Sequence, residues 1–380
     1  MKVALVHDYL WEYGGAERVL EALHEIFPEA PIYTAYLNLK NLGSHAQRIK
    51  KWNIKTSWLQ NFPFAKKLIS PFRIFASMIF EGFDLSNYDL VISSCNTYFS
   101  KAVITKPNAL HLSYIHTPPR YLYGYTTSFN YKKHFLTRVL GEFANHFLRI
   151  YDFETSQRPD LLIANSQNVQ DRIKKFYRRE DSVVIYPPVN LDEFKNTKKS
   201  TGGYFLSLNR LVRGKGTETI VKACSDLNLH LKVASSGPEL KNLKRLAGKT
   251  VEFLGEVSDQ ERVKLLLEAK ALIVASEDED FGITAVESMA AGTPVVAIKT
   301  GGYLETVIEG KTGLFFKPSG SKQDPNRFID EETVENLKEA LKNFDPTKFK
   351  EEDLKKQAEK FSLERFKKEI LALVNNNFRG

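Results

Sequence analysis

Cysteine occurs only twice in 380 residues, at Cys95 and Cys224, far apart and without metal-ligand spacing. This excludes a disulfide-stapled scaffold and a zinc cluster, and both thiols read as reduced core residues of a cytosolic protein. No apolar run reaches the roughly 18 residues of a membrane span. Lys2 to His7 reads as a strand at the very start, so no signal peptide is expected. The dinucleotide fingerprint G-x-G-x-x-G is absent, which removes the main support for a nicotinamide cofactor. Gly214-Lys215-Gly216-Thr217 lacks the earlier glycine of a Walker loop, which argues against a P-loop NTPase. Zinc-finger spacing, an aromatic RNA-binding motif and a tail of pure Lys/Arg are all missing, so nucleic acid is not an expected partner.

What is present is a soluble globular composition, 42% hydrophobic and 26% charged, on a chain too long for one ordinary core. Two domains are therefore expected. The net charge of +8 implies an anionic partner without choosing its class.

The most informative stretch runs from Ala271 to Val296. Ala271 to Ala275 is an apolar run of the kind a parallel sheet buries on both faces, followed by the acidic turn Glu277-Asp278-Glu279-Asp280. Phe281-Gly282 leads into helical spacing, so the backbone N–H groups of Gly282, Ile283 and Thr284 would open a helix and face a phosphate. Glu279 would stay in the loop while Glu287 lies more than a turn inside the helix. By themselves the acidic residues could simply favour a helix N-terminus.

Further turns follow short strands elsewhere. Gly14 and Gly15 separate the first strand from a helix carrying Val19, Leu20, Leu23 and Phe27, where the backbone can approach a phosphate or sugar. His116 ends a strand just before Pro118 and Pro119, well placed to face a cleft, with Arg120 next to the prolines. Arg210 and Lys215 sit around a glycine turn, where both cations can converge on one diphosphate. Gly310 to Phe316 reads as a hairpin-like stretch. Phe361, Phe366, Ile370, Leu371 and Val374 mark a final amphipathic helix. Trp58 to Phe75 mixes aromatics and cations, and with Lys174 to Arg179 it is the expected contact for an anionic membrane surface.

The pattern Glu279-Asp280-Phe281-Gly282, then Glu287-Ser288-Met289-Ala290-Ala291-Gly292-Thr293-Pro294, resembles the signature of the retaining GT-B glycosyltransferases of family four. His116-Thr117-Pro118-Pro119-Arg120-Tyr121-Leu122 resembles the members that build bacterial surface polysaccharides, often mannosyltransferases. The resemblance implies an α/β fold of GT-B type. Two facing Rossmann-like domains, residues 1–190 on the acceptor side and 191–360 binding the nucleotide sugar, are joined by a helix at 361–380 that crosses back to the first.

It also implies roles. His116 and Glu279 would be catalytic, steadying the donor sugar and orienting its hydroxyls. Gly14, Gly15, Arg210, Lys215, Phe281, Gly282, Ile283, Thr284 and Glu287 would bind the donor, Glu287 at the ribose, and Arg120 would meet a phosphate or the acceptor. No metal or other cofactor is expected, because Arg210 and Lys215 would neutralise the leaving diphosphate; the nucleotide sugar is a substrate. The expected reaction moves a hexose, mannose from GDP-mannose, to a lipid-linked or polysaccharide acceptor, in the cytoplasm or peripherally on the inner face of the cell membrane. A UDP-sugar donor, a nucleotide-sugar epimerase of the same fold and a non-catalytic sugar binder are the alternatives.

Overall fold

A computed structural model describes residues 1–63, 71–125, 135–195, 197–200, 202–320 and 329–378. The chain divides into two compact units. One holds the described residues of Met1–Tyr125, Asn130–Pro188 and Leu363–Gly380, the other those of Val189–Ser362.

In the first unit the strands are β1 (Val3–His7), β2 (Ile32–Thr34), β3 (Ile54–Thr56), β4 (Leu90–Cys95), β5 (Leu110–Ile115), β6 (Leu161–Ala164) and β7 (Val183–Val184). They form one sheet in the order β3-β2-β1-β4-β5-β6-β7, every neighbouring pair parallel. Both faces are covered, which is why β1, β4 and β5 read as nearly unbroken buried runs. Leu5, Leu90 and Ile92 point to one face, beneath the Gly15–Ile26 helix; Ala4, Val6 and Val91 point to the other, with Leu59, Ile79, Phe80 and Leu148.

The Leu363–Asn377 helix belongs to this unit. Phe366, Ile370 and Val374 enter the same core as Leu20 and Leu23, a burial of roughly 1.5–3 kcal/mol for each large side chain. Lys367 pairs with Glu25 at 2.8 Å and Arg365 donates to the Tyr186 carbonyl at 2.7 Å. Phe361 lies ahead of this helix and Leu371 faces outward, so only part of the expected apolar stripe is core.

The second unit contains β8 (Phe205–Ser207), β9 (Leu231–Ala234), β10 (Val251–Gly255), β11 (Ala271–Val274), β12 (Val295–Ile298) and β13 (Gly313–Phe316). Their order is β10-β9-β8-β11-β12-β13, again all parallel. The hairpin expected at Gly310 to Phe316 is corrected here: Gly313–Phe316 is an edge strand parallel to β12. A turn from Ile308 to Thr312 feeds it, held by the Thr312 hydroxyl, which accepts from the Ile308 N–H at 2.8 Å.

Both sheets reverse their winding at one place, between β1 and β4 in the first and between β8 and β11 in the second. At such a switch point the loops after neighbouring strands diverge and leave a crevice at the strands' C-terminal ends, where open α/β sheets bind ligands.

Candidate active site

In the first unit, the switch point carries a chain of polar side chains. Ser94, near the end of β4, places its Oγ 3.1 Å from His7 Nδ1 and 2.8 Å from His116 Nε2. His7 Nε2 lies 3.5 Å from Glu17 Oε1, in the first turn of the Gly15–Ile26 helix. One hydroxyl between two imidazoles can donate to one ring and accept from the other, so the tautomers of His7 and His116 are linked. His116 is 7% exposed. Burial, and then the neighbouring His7, push its imidazole down to about 3 against a smaller opposing pull from Asp8, so it is neutral near pH 7.

Asp8 follows β1 directly. Its carboxylate accepts from the backbone N–H groups of Asn96, Thr97 and Tyr98 at 2.6–2.8 Å and from that of Ser100 at 2.8 Å. The loop after β4 is thereby wrapped around one buried charge, an arrangement that fixes Ser94 from the loop side.

The glycine turn before the first helix differs from its expected form. Gly14 has extended φ/ψ that any residue adopts, and its N–H donates to Glu17 Oε2 at 2.8 Å. Glu17 therefore caps the helix and braces His7 with the same carboxylate, and the Gly14 N–H is already used within the protein. Arg120 is half-buried, and its carbonyl accepts from the N–H groups of Tyr123 and Tyr125. Beside it, Arg172 Nη1 donates to Thr117 Oγ1 at 3.1 Å, fixing the turn after His116.

In the second unit, the loop after β8 and the acidic turn after β11 meet across the switch point. Lys215 Nζ pairs with Glu279 Oε2 at 2.8 Å, both side chains about one-fifth exposed. A Cβ on Gly216 would stand 2.2 Å from the Ala275 carbonyl oxygen, so glycine lets the lysine loop lie against the end of β11. Arg210 is exposed on the same loop. The two cations expected to converge on a diphosphate thus differ in setting: Lys215 holds the carboxylate of Glu279 while Arg210 stands nearer solvent.

Gly282 begins the Ile283–Ala290 helix with φ +90°, and a Cβ there would strike the Tyr303 ring at 2.8 Å. The first-turn N–H groups of Ile283 and Thr284 have no carbonyl within the helix to bond, and an anion suits that position. Phe281 turns its side chain inward. Its ring is core, 5.2 Å from that of Phe361 in an edge-on contact, which leaves only its backbone at the turn.

Glu287, inside the helix as expected, is 3% exposed, and its Oε1 pairs with Arg262 Nη1. Arg262, on the Asp259–Glu268 helix, also reaches Glu193. The carboxylate expected to accept from donor hydroxyls is here held by Arg262, which no motif singles out. Ser94 and Asp8 carry little local signal for the same reason: their partners lie far away in sequence. A buried Ser-Ser pair at a strand end and an acidic residue at the third helical position were the only signals available.

Two family models match almost end to end: "Glycosyltransferase Family 4" over residues 13–193 and "Glycosyl transferases group 1" over residues 189–361. The chain is a family-four glycosyltransferase. It is 24% identical to the alpha-1,3/1,6-mannosyltransferase ALG2 of Debaryomyces hansenii, covering 95% of this chain and 87% of that protein. An uncharacterized glycosyltransferase of Methanocaldococcus jannaschii is 29% identical over 54% of this chain and 56% of its own length. A D-inositol 3-phosphate glycosyltransferase of Corynebacterium jeikeium is 31% identical over 44% of this chain. The chain spans only about half of these last two relatives, 56% and 47% of their lengths.

Among solved structures, sucrose-phosphate synthase from Thermosynechococcus elongatus superposes with a TM-score of 0.72 at 18% identity, covering 100% of this chain and 99% of that one. Anabaena HepE, in complex with UDP and glucose, gives 0.69 at 18% identity over 99% of both chains. The glycosyltransferase has the GT-B fold that its sequence implied.

Proposed function

We propose that this glycosyltransferase transfers mannose from GDP-mannose, with retention of configuration, to a lipid-linked or polysaccharide acceptor. The Lys215–Glu279 pair at the switch point of the second sheet, beside the Gly282 helix start, carries this reading. The negative charge that grows on a departing diphosphate needs a cation and open N–H groups fixed before the bond breaks, and this turn supplies both. The bond from the sugar's anomeric carbon to the phosphate oxygen breaks, the diphosphate keeps the electron pair, and an acceptor hydroxyl takes its place, passing its proton to the departing diphosphate oxygen. Glu279 orients the donor sugar through its hydroxyls and Glu287, steadied by Arg262, accepts from the ribose. Neutral His116 is the catalytic group proposed for the first unit.

Likeness to the ALG2 mannosyltransferase and the His116–Leu122 segment support mannose as the sugar. A UDP-hexose is the second reading, supported by the UDP and glucose in the HepE complex. Metal independence is part of the proposal. Asp278 and Asp280 alternate in the acidic turn, a spacing that could take a cation, so the chelator arm of the test decides this part of the proposal.

The test is thermal stabilisation by GDP, UDP, ADP and their sugars, with and without chelator, because a ligand of the native state raises its melting temperature. A selective shift with GDP and GDP-mannose that survives chelation is the expected result. A shift confined to UDP-sugars replaces the donor and leaves the site, and isomerised nucleotide sugar without acceptor would mark an epimerase instead. Loss of the shift on chelation ends the metal-free mechanism.

A further inference from the structure

The Phe135–Ser156 helix of the first unit is apolar on two sides. Its inner side packs Leu148 and Tyr151 onto the sheet, and its Asp152 is tied to the buried Lys101 and to the hydroxyls of Tyr123 and Tyr177. Its outer side carries Phe135, Val139, Phe143, Phe147 and Ile150, a helical stripe in which Phe135 is 83% and Phe143 67% exposed. Of seventeen large apolar side chains exposed among the described residues, twelve belong to this helix or to the Trp58–Phe62 and Ile74–Met78 segments. Leu59, Ala76, Ile79 and Leu148 anchor all three to the same core cluster, so their outer faces share one side of the sheet. Scattered exposed apolar residues need no explanation; a patch of this kind marks an interaction surface.

Charge decides between occupants. Residues 1–188 and 363–380 together hold 27 Lys and Arg against 18 Asp and Glu, whereas residues 189–362 hold 27 against 28. The whole positive excess of the protein thus lies in the unit that bears the patch. Arg138 and Arg149 are on the helix itself, and the exposed Lys175 and Arg178 are on or just after the adjoining Gln167–Tyr177 helix. A second copy would bring the same excess positive charge against itself, while an anionic lipid surface attracts it. Aromatic rings at headgroup depth with arginine and lysine beside them are the chemistry of an interfacial helix.

We propose that this face of the first unit docks on an anionic lipid surface, with the Phe135–Ser156 helix lying along it. The aromatic-cationic stretch expected from sequence to make this contact contributes Trp58, Phe62, Ile74 and Phe75, while residues 64–70 lie outside the described ones. The Phe135–Ser156 helix supplies most of the surface.

The experiment is flotation of the purified full chain with vesicles of phosphatidylglycerol and phosphatidylcholine, against phosphatidylcholine alone. The protein should float with the anionic vesicles at low salt and be released by high salt. Phe143→Ser with Phe147→Ser should weaken partitioning roughly tenfold or more, with an unchanged melting temperature and an unchanged thermal shift by nucleotide. The proposal is overturned if the native protein does not float or if the double variant floats equally well. It is also overturned if these substitutions split a dimer in solution without any lipid binding, which would give the face to a second copy.

Discussion

Ser94 and His116 are joined by a 2.8 Å hydrogen bond across two neighbouring strands, and the same hydroxyl reaches His7. The imidazole proposed to meet the donor sugar is therefore oriented by a serine and, through His7, by Glu17. His116→Ala should lower kcat on the order of a hundredfold, the scale of a lost positioned group. Ser94→Ala keeps the ring but frees it, and should cost roughly tenfold with little change in nucleotide affinity. If Ser94→Ala is fully active, the tautomer linkage has no role in the reaction.

Lys215→Ala removes a cation paired with Glu279, one of the two proposed to meet the donor diphosphate. A loss of about a hundredfold to a thousandfold in kcat/KM is expected, as for one oxyanion-stabilising contact. Arg210→Ala should fall in the same range, because departing charge feels both cations. A milder effect at Lys215 than at Arg210 would mean that Lys215 serves Glu279 rather than the diphosphate.

Arg262→Met leaves the Glu287 carboxylate buried without its cation. Breaking one side of such a pair typically costs about 3–5 kcal/mol, visible as a large drop in melting temperature. Arg262→Met combined with Glu287→Met should recover much of that stability while abolishing the nucleotide-induced shift. A double variant that still responds to nucleotide would exclude Glu287 from the ribose site.

Buried histidines set an acid limit. His111 and His116 are both held down at about 3, below their ordinary 6.5, chiefly by burial. A depressed histidine pKa means that the unfolded chain binds protons the folded one refuses. The stability from each is thus complete above pH 6.5 and falls as pH drops from 6.5 towards 3, by up to ~1.4 kcal/mol per pH unit. His111 is hydrogen-bonded to Ser93 away from His116, so His111→Gln separates the two contributions. Urea unfolding across that window should give a shallower pH slope for the variant than for the native chain.

Much of the fold was legible because parallel strands covered on both faces leave short apolar runs, and because Ser166 and Gly282 mark helix starts where a cap belongs. The Glu279 to Glu287 turn was legible for a similar reason, since its parts are local in sequence. The braces were not. Asp8 meets its loop about ninety residues downstream, Ser94 meets His7 across 87 residues, and Arg262 reaches back 69 residues to Glu193. Sheet order brings these pairs together, and no periodicity encodes it. The burial of the Phe281 ring was not legible, because motif position says nothing about which face of a turn a ring occupies. The outward stripe of Phe135–Ser156 was overlooked because an apolar helix face reads the same whether core or solvent lies beyond it.

The Leu363–Asn377 helix completes a core whose other parts precede the entire second unit in the chain. During synthesis the first unit must therefore wait, with Leu20, Leu23 and Tyr114 uncovered on one side, until about 175 further residues have emerged, an interval of roughly ten to thirty-five seconds at ordinary elongation rates. The described residues of the second unit all lie within Val189–Ser362 and have no such delay. The half that is made first is thus the half whose core is completed last.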